Sequence, residues 1–182
     1  MLARETLFFI LPLLISGSLH HFLVIKNNSF RILAKPVDFG IKFGNRRLFG
    51  DSKTFRGFLV VIFLNGFFMW AINAFFCIRL NLNPFVSGAL LGLGYSLGEL
   101  PNSFLKRRLG VKESRSAPGF LGAVLYIIDQ TDSIIGSLIF LPLVYSPSLT
   151  LVVTLFVCGS VAHAFVDICL YLFGYKKALL SK

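Results

Sequence analysis

The sequence predicts an all-α integral membrane protein of about five transmembrane helices, with the N-terminus outside and the C-terminus cytoplasmic. Three observations carry that prediction. Of 182 residues, 55% are hydrophobic and the mean hydropathy is +0.78, which is more apolar surface than a soluble domain of this size can bury. The apolar residues gather into runs of about a bilayer's width. The 18 Lys and Arg, against 8 Asp and Glu, sit mostly in short loops between those runs and give a formal charge of +10. Such charge reads first as topology and second as a site for anionic ligands, and not as a nucleic-acid surface.

The spans fall at about residues 6–25, 57–78, 84–100, within 119–145, and 148–173. Arg4 and the apolar run after it resemble a signal peptide, with Ser16-Gly17-Ser18 as small residues. The run resumes to residue 25 and a basic loop follows, which favours a retained first span. Loop 26–56 carries Lys26, Arg31, Lys35, Lys42, Arg46, Arg47, Lys53 and Arg56, whereas loop 79–83 carries only Arg79. Loop 101–118 carries Lys106, Arg107, Arg108, Lys112 and Arg115; the turn at 146–147 carries none, and the tail has Lys176, Lys177 and Lys182. This alternation places the first and third loops inside. One domain, 1–182, is expected, embedded in the cell membrane with its site on the cytoplasmic side.

The third span holds Gly88, Gly92, Gly94 and Gly98, small residues at a spacing that permits close helix contact. The fourth is interrupted by Asp129-Gln130-Thr131-Asp132-Ser133. One helix through all of it would be about 39 Å long. The expectation is therefore a first half lying along the inner face and a span that starts near Asp129. Cys77, Cys158 and Cys169 stand singly in apolar surroundings, as core or lipid-facing residues.

Carboxylates in or beside spans are costly and mark function. Glu99, Asp129, Asp132 and Asp167 are four of the eight acids. Asp129 and Asp132 share a helix face at i, i+3, as do His163 and Asp167 at i, i+4. All four can meet at the cytoplasmic side, facing the basic loops; the simpler alternative for each is a structural salt bridge. Oxygen ligands beside a cationic loop are the ingredients of a magnesium–nucleotide site. Asp129 and Asp132 are the expected Mg²⁺ ligands, with Glu99 as a further one. His163 is expected to orient Asp167 or a phosphate, and His20-His21 to be interfacial. The stretch from Arg46 to Gly57 supplies a glycine-hinged, hydroxyl-bearing basic loop suited to polyphosphate. No P-loop, zinc spacing or nucleophile motif is present.

Taken in order, several stretches resemble the CDP-archaeol synthases, relatives of the phosphatidate cytidylyltransferases. They are Pro36-Val37-Asp38, the run Arg47–Gly57, Gly98-Glu99-Leu100, the run Ser103–Gly110, Asp129-Gln130-Thr131-Asp132, and His163. The resemblance implies that CTP and a lipid phosphate give a CDP-lipid and pyrophosphate, with Mg²⁺, and leaves room for K⁺ and for a homodimer. The lipid implied is 2,3-bis-O-(geranylgeranyl)glycerol 1-phosphate or a phosphatidate-like relative. Lys53, Arg56, Lys106 and Arg107 would then hold the phosphates, assisted by Asp51, Thr54, Ser103 and His163. The chain departs from the family pattern at Ser52, Phe55, Glu99, Thr131, Ser133 and Asp167. The competing readings are a CTP-dependent lipid-alcohol kinase and a non-catalytic membrane scaffold.

Overall fold

The computed structural model describes residues 1–112 and 117–174, less the side chains of 25 and 26. Arg115, Lys176, Lys177 and Lys182, counted above for orientation, lie outside the described residues. The long helices are α1 (Leu2–His20), α2 (Phe55–Phe76), α3 (Pro84–Arg108), α4 (Gly119–Val144) and α5 (Leu149–Leu172). Each packs on its neighbours in sequence, and α1 also packs on α5, so the five close into a ring. Among the described residues, four segments are long and apolar enough to cross a membrane: Leu2–Val24, Phe55–Phe76, Gly119–Val144 and Leu149–Leu172. α3 equals them in length but carries polar side chains, and α2 and α4 flank it.

Helix starts follow local chemistry. Thr54 caps α2 by accepting from Gly57 N at 3.3 Å, and Ser148 caps α5 by accepting from Leu151 N at 3.2 Å. Asn83 accepts from Phe85 N at 2.9 Å ahead of Pro84, the first residue of α3. α1 runs on into a π-helical turn, His21–Lys26.

The fourth span is not broken. α4 is continuous over 26 residues, about 39 Å, and no half of it lies separately along the membrane. A polar run does not end this helix because its side chains are satisfied where they stand. Thr131 Oγ1 donates back to the carbonyls of Ile127 or Ile128, and the acids turn toward α3.

Two glycine contacts fix how closely α3 and α4 approach. A Cβ at Gly98 would lie 2.3 Å from the Asp132 carbonyl oxygen, and one at Gly136 would lie 2.1 Å from that of Gly94. Only glycine permits this spacing, and it sets the polar faces of the two helices against each other.

The ring has two distinct ends. The far end collects the N-terminus of α1, the α2–α3 connection and the α4–α5 turn. There Arg4 donates to the Phe76 carbonyl, and Tyr145 donates to Glu5 at 2.7 Å. The apolar core lies toward this end, with Phe8, Phe9, Met69, Leu141, Val144 and Leu151 buried. The loop end collects the long α1–α2 loop, the α3–α4 connection and the last turn of α5. The sequence gives no period long enough to announce the small antiparallel hairpin in that loop, β1 (Lys42–Phe43) with β2 (Arg46–Arg47). A bridge between Pro36 and Thr54 closes the loop's base. Cys158 is exposed on the surface of α5, and Cys77 is exposed just past the end of α2.

Candidate active site

The α1–α2 loop is wound around Asp38, whose side chain is fully buried. Its carboxylate accepts from the backbone N–H groups of Gly40 (3.0 Å), Phe49 (3.0 Å) and Gly50 (3.3 Å), and from Arg47 at 2.6 Å. Burial pushes this carboxyl up, but Arg47 and the three N–H donors outweigh burial and hold it at about 2. Arg47 also bridges to the exposed Asp51 at 2.5 Å. Asp51 is thus part of the loop's brace, on its outer side. The loop then delivers Lys53 inward, to Glu99 of α3. Burial pulls the Lys53 ammonium down, yet the charge and hydrogen bond of Glu99 lift it above the ordinary lysine value.

On α3, Tyr95, Glu99, Asn102 and Lys106 recur at i, i+4, i+7 and i+11, one face of a helix. They meet Asp129, Asp132 and Ser133 of α4. Lys106 Nζ contacts both carboxylate oxygens of Asp129. Asn102 Nδ2 donates to Asp129 at 2.5 Å and to Asp132 at 2.9 Å, so one amide joins the two acids. Ser133 Oγ lies 3.0 Å from Asp132 and 3.3 Å from Glu99 and links that pair. One step deeper, His163 of α5 bridges Tyr95 (2.8 Å) and Gln130 (2.9 Å). A single polar seam therefore runs from the loop across α3 and α4 to α5.

Several predicted residues stand elsewhere. His163 spends both ring nitrogens on Tyr95 and Gln130. Asp167 is buried one turn further along α5. Among the described residues no three His, Cys, Asp or Glu side chains are close enough to hold a metal ion together. Glu99, Asp132 and Asp129 lie along one seam, joined in turn by Ser133 and Asn102, and Glu99 and Asp129 each also take a lysine. Arg56 turns to the preceding loop, donating to Asn28 at 2.5 Å and to the Ser29 carbonyl at 3.2 Å. Thr54 is committed to its cap, and Ser103 is buried in α3 one residue from Asn102. Arg107 lines an open basic depression with Arg46, Arg47 and Lys112.

Asn102, Ser133, Tyr95 and Gln130 were not marked as site residues by sequence. The one available signal was their spacing from Glu99 and Asp132 on the same helix faces. Asn102 sits between the two acids Asp129 and Asp132. Its amide oxygen is buried with no hydrogen-bond partner, beside the two carboxylates that its nitrogen joins. The donors at this spot are all oxygens, the type that Mg²⁺ takes. Asp129, with its side chain 39% exposed, is open to an incoming ligand. The two carboxylates therefore fit a hard divalent ion, with Glu99 joined to Asp132 through Ser133.

Comparison with known proteins agrees over nearly the whole chain. The family model described as CDP-archaeol synthase (CarS-like) matches residues 2–179. The CDP-archaeol synthase of Methanoculleus marisnigri is 36% identical over 154 residues, 78% of this chain and 87% of that protein. That of Thermofilum pendens is 33% identical over 143 residues, and the match spans 78% of this chain but 64% of that protein. A solved structure, of an intramembrane enzyme for archaeal membrane lipids biosynthesis, aligns with a TM-score of 0.67 at 25% identity. That alignment covers 90% of this chain and 93% of the other.

Proposed function

This chain belongs to the CDP-archaeol synthase family, and from that membership we propose that it transfers the cytidylyl group of CTP to a membrane lipid phosphate. The observation that carries the reading onto this chain is the seam of Glu99, Asp129 and Asp132 interleaved with Lys53 and Lys106 beneath a basic loop. Both substrates are anions that repel each other, and the seam supplies the cations that let them meet.

In this reaction an oxygen of the lipid phosphate attacks the α-phosphorus of CTP. The bond from that phosphorus to the oxygen bridging to the β-phosphate breaks, and pyrophosphate leaves. No protein nucleophile is needed, so catalysis rests on position and charge. Lys106 and Lys53, released from Asp129 and Glu99, turn to phosphate oxygens. Arg107 and the basic depression beside it hold the far phosphates. Asn102 and Ser133 keep the acids apart and aimed. Asp129 and Asp132 would hold Mg²⁺, which when bound neutralises phosphate charge and polarises the reacting phosphorus. By the excess of Lys and Arg in its loops, the site end faces the cytoplasm of the cell membrane. The lipid is of the archaeol type.

The test is the purified chain in nanodiscs with α-labelled CTP, Mg²⁺ and a panel of lipid phosphates. Label in a CDP-lipid together with pyrophosphate supports the assignment. Release of CDP with a phosphorylated lipid alcohol would make it a kinase, and no turnover on any lipid would leave a scaffold.

A further inference from the structure

We propose that the hairpin segment of the α1–α2 loop is an interfacial anchor, set into the headgroup layer at the loop end with its exposed Lys42 on anionic lipid phosphates. This holds whatever reaction the site performs. Phe39, Ile41 and Phe43 are 72%, 57% and 65% exposed, although all three lie outside the spanning helices. Exposed apolar side chains clustered on a loop need a partner, because water is a poor solvent for them.

Their depth identifies the partner. The Phe39 ring lies 5.2 Å from that of Phe55, the first residue of α2. The Phe43 ring lies 6.4 Å from that of Phe104, near the C-terminal end of α3. Both rings therefore flank the bundle at the level where α2 begins and α3 ends, and continue its lipid-facing belt.

Charge complements this placement. Segment 26–56 holds eight Lys and Arg against two acids, Asp38 and Asp51, and Arg47 bridges both. Lys42 and Arg46 sit in the hairpin, and the Arg108 guanidinium lies 5.3 Å from the Phe43 ring and 5.0 Å from the Phe104 ring. Aromatic rings with cations around them are the composition of segments that rest among headgroups, where the rings enter and the cations meet phosphate. The anchor fixes the hairpin that supports Arg46 against the Arg107 and Arg108 carbonyls, beside the site.

The test uses the full chain, one copy per nanodisc, with Cys77, Cys158 and Cys169 replaced and a nitroxide on Ile41→Cys, Phe43→Cys or Asn45→Cys. Oxygen and a water-soluble nickel chelate report depth by collision. The expected result is greater access to oxygen than to nickel at positions 41 and 43 and the reverse at 45 on the hairpin turn. A shallower reading at 41 and 43 is expected when anionic lipids are replaced by zwitterionic ones. Nickel access at 41 and 43 equal to that at 45 would overturn the anchor. So would protection from both reagents, which signals protein contact, including a second copy if dipolar broadening accompanies it. Depth indifferent to lipid charge would overturn the cationic half of the proposal.

Discussion

Lys106 Nζ sits against both carboxylate oxygens of Asp129, while Asn102 ties the same carboxylate to Asp132. The lysine thus occupies the place a metal or a phosphate-bearing ligand would contest. In the proposed reaction, Lys106 would leave Asp129 for phosphate oxygens, so nucleotide binding would exchange these partners.

Lys106→Gln is therefore expected to act in two opposed ways. Removing a phosphate-directed cation should lower turnover by roughly a hundredfold or more. Removing the competitor for Asp129 should tighten Mg²⁺ binding in the absence of CTP. Thermal stability should change by no more than about 1 kcal/mol, because the pair is partly exposed. Mn²⁺ binding followed by electron paramagnetic resonance, without nucleotide, reads the second effect separately from activity. Weaker metal binding in the variant would count against the exchange.

Asp38 is expected to control the shape of the loop rather than its chemistry. Its carboxyl lies at about 2 in the folded chain, below the ordinary 3.8. A depressed carboxylate contributes stability that is full above the ordinary value and is lost as pH falls through about 2. Pepsin cleavage within the loop should accordingly rise as pH drops across that window. Asp38→Asn should show the loosened loop already at pH 4, because it turns an amide donor toward Phe49 N or Gly50 N and leaves a buried clash of donors. A pH-independent cleavage rate in the native chain would remove Asp38 from this role.

How much of this was legible in the sequence depended on whether a residue carries charge. Glu99, Asp129 and Asp132 stand out because a carboxylate in a span is expensive, and Lys53 and Lys106 because they border spans. Asn102 and Ser133 join those groups, yet a neutral polar residue in a helix has no such cost to advertise it. Asp129–Ser133 read as a break in the fourth span because adjacent polar residues resemble a loop. In three dimensions Asp129, Asp132 and Ser133 face α3, Gln130 turns to His163 of α5, and the Thr131 hydroxyl bonds back to its own helix. Arg56 and Thr54 sit in the motif but serve the loop and the helix cap, a distinction that only the fold makes.

The two basic loops leave the same end of the ring, so one labelling result settles the side for both. Cysteine at Asn45, in the hairpin turn, should react with an impermeant maleimide only from the cytoplasmic side. Cysteine at Asn83, the cap of α3 at the far end, should react only from outside. The three native cysteines are replaced for this test, since Cys77 lies near Asn83. Outside labelling at Asn45 would reverse the orientation and place the site away from CTP.

The last prediction concerns Glu99, whose partner is Lys53 of the loop rather than Arg107 on its own helix. If the pair only fastens the loop to α3, then Lys53→Gln and Glu99→Gln should each lower thermal stability, and the double variant should recover much of the loss. Turnover per folded molecule would then stay near the native level in all three. If the two residues act on the ligands, the pattern differs. Glu99→Gln would free Lys53 from its counterion and raise affinity for CTP, while Lys53→Gln would weaken it and slow turnover by roughly a hundredfold. Glu99→Asp would separate reach from charge, because the shorter acid keeps the charge but draws back from Lys53 and Ser133. A double-mutant cycle scored on melting temperature and on CTP turnover tells the two apart, since contacting residues couple in whichever quantity they share. The seam's geometry favours the second pattern. Glu99 is bonded through Ser133 to Asp132, so a change at Glu99 reaches the acid pair without passing through the loop. Coupling seen in stability alone would reduce Glu99 and Lys53 to a structural bridge.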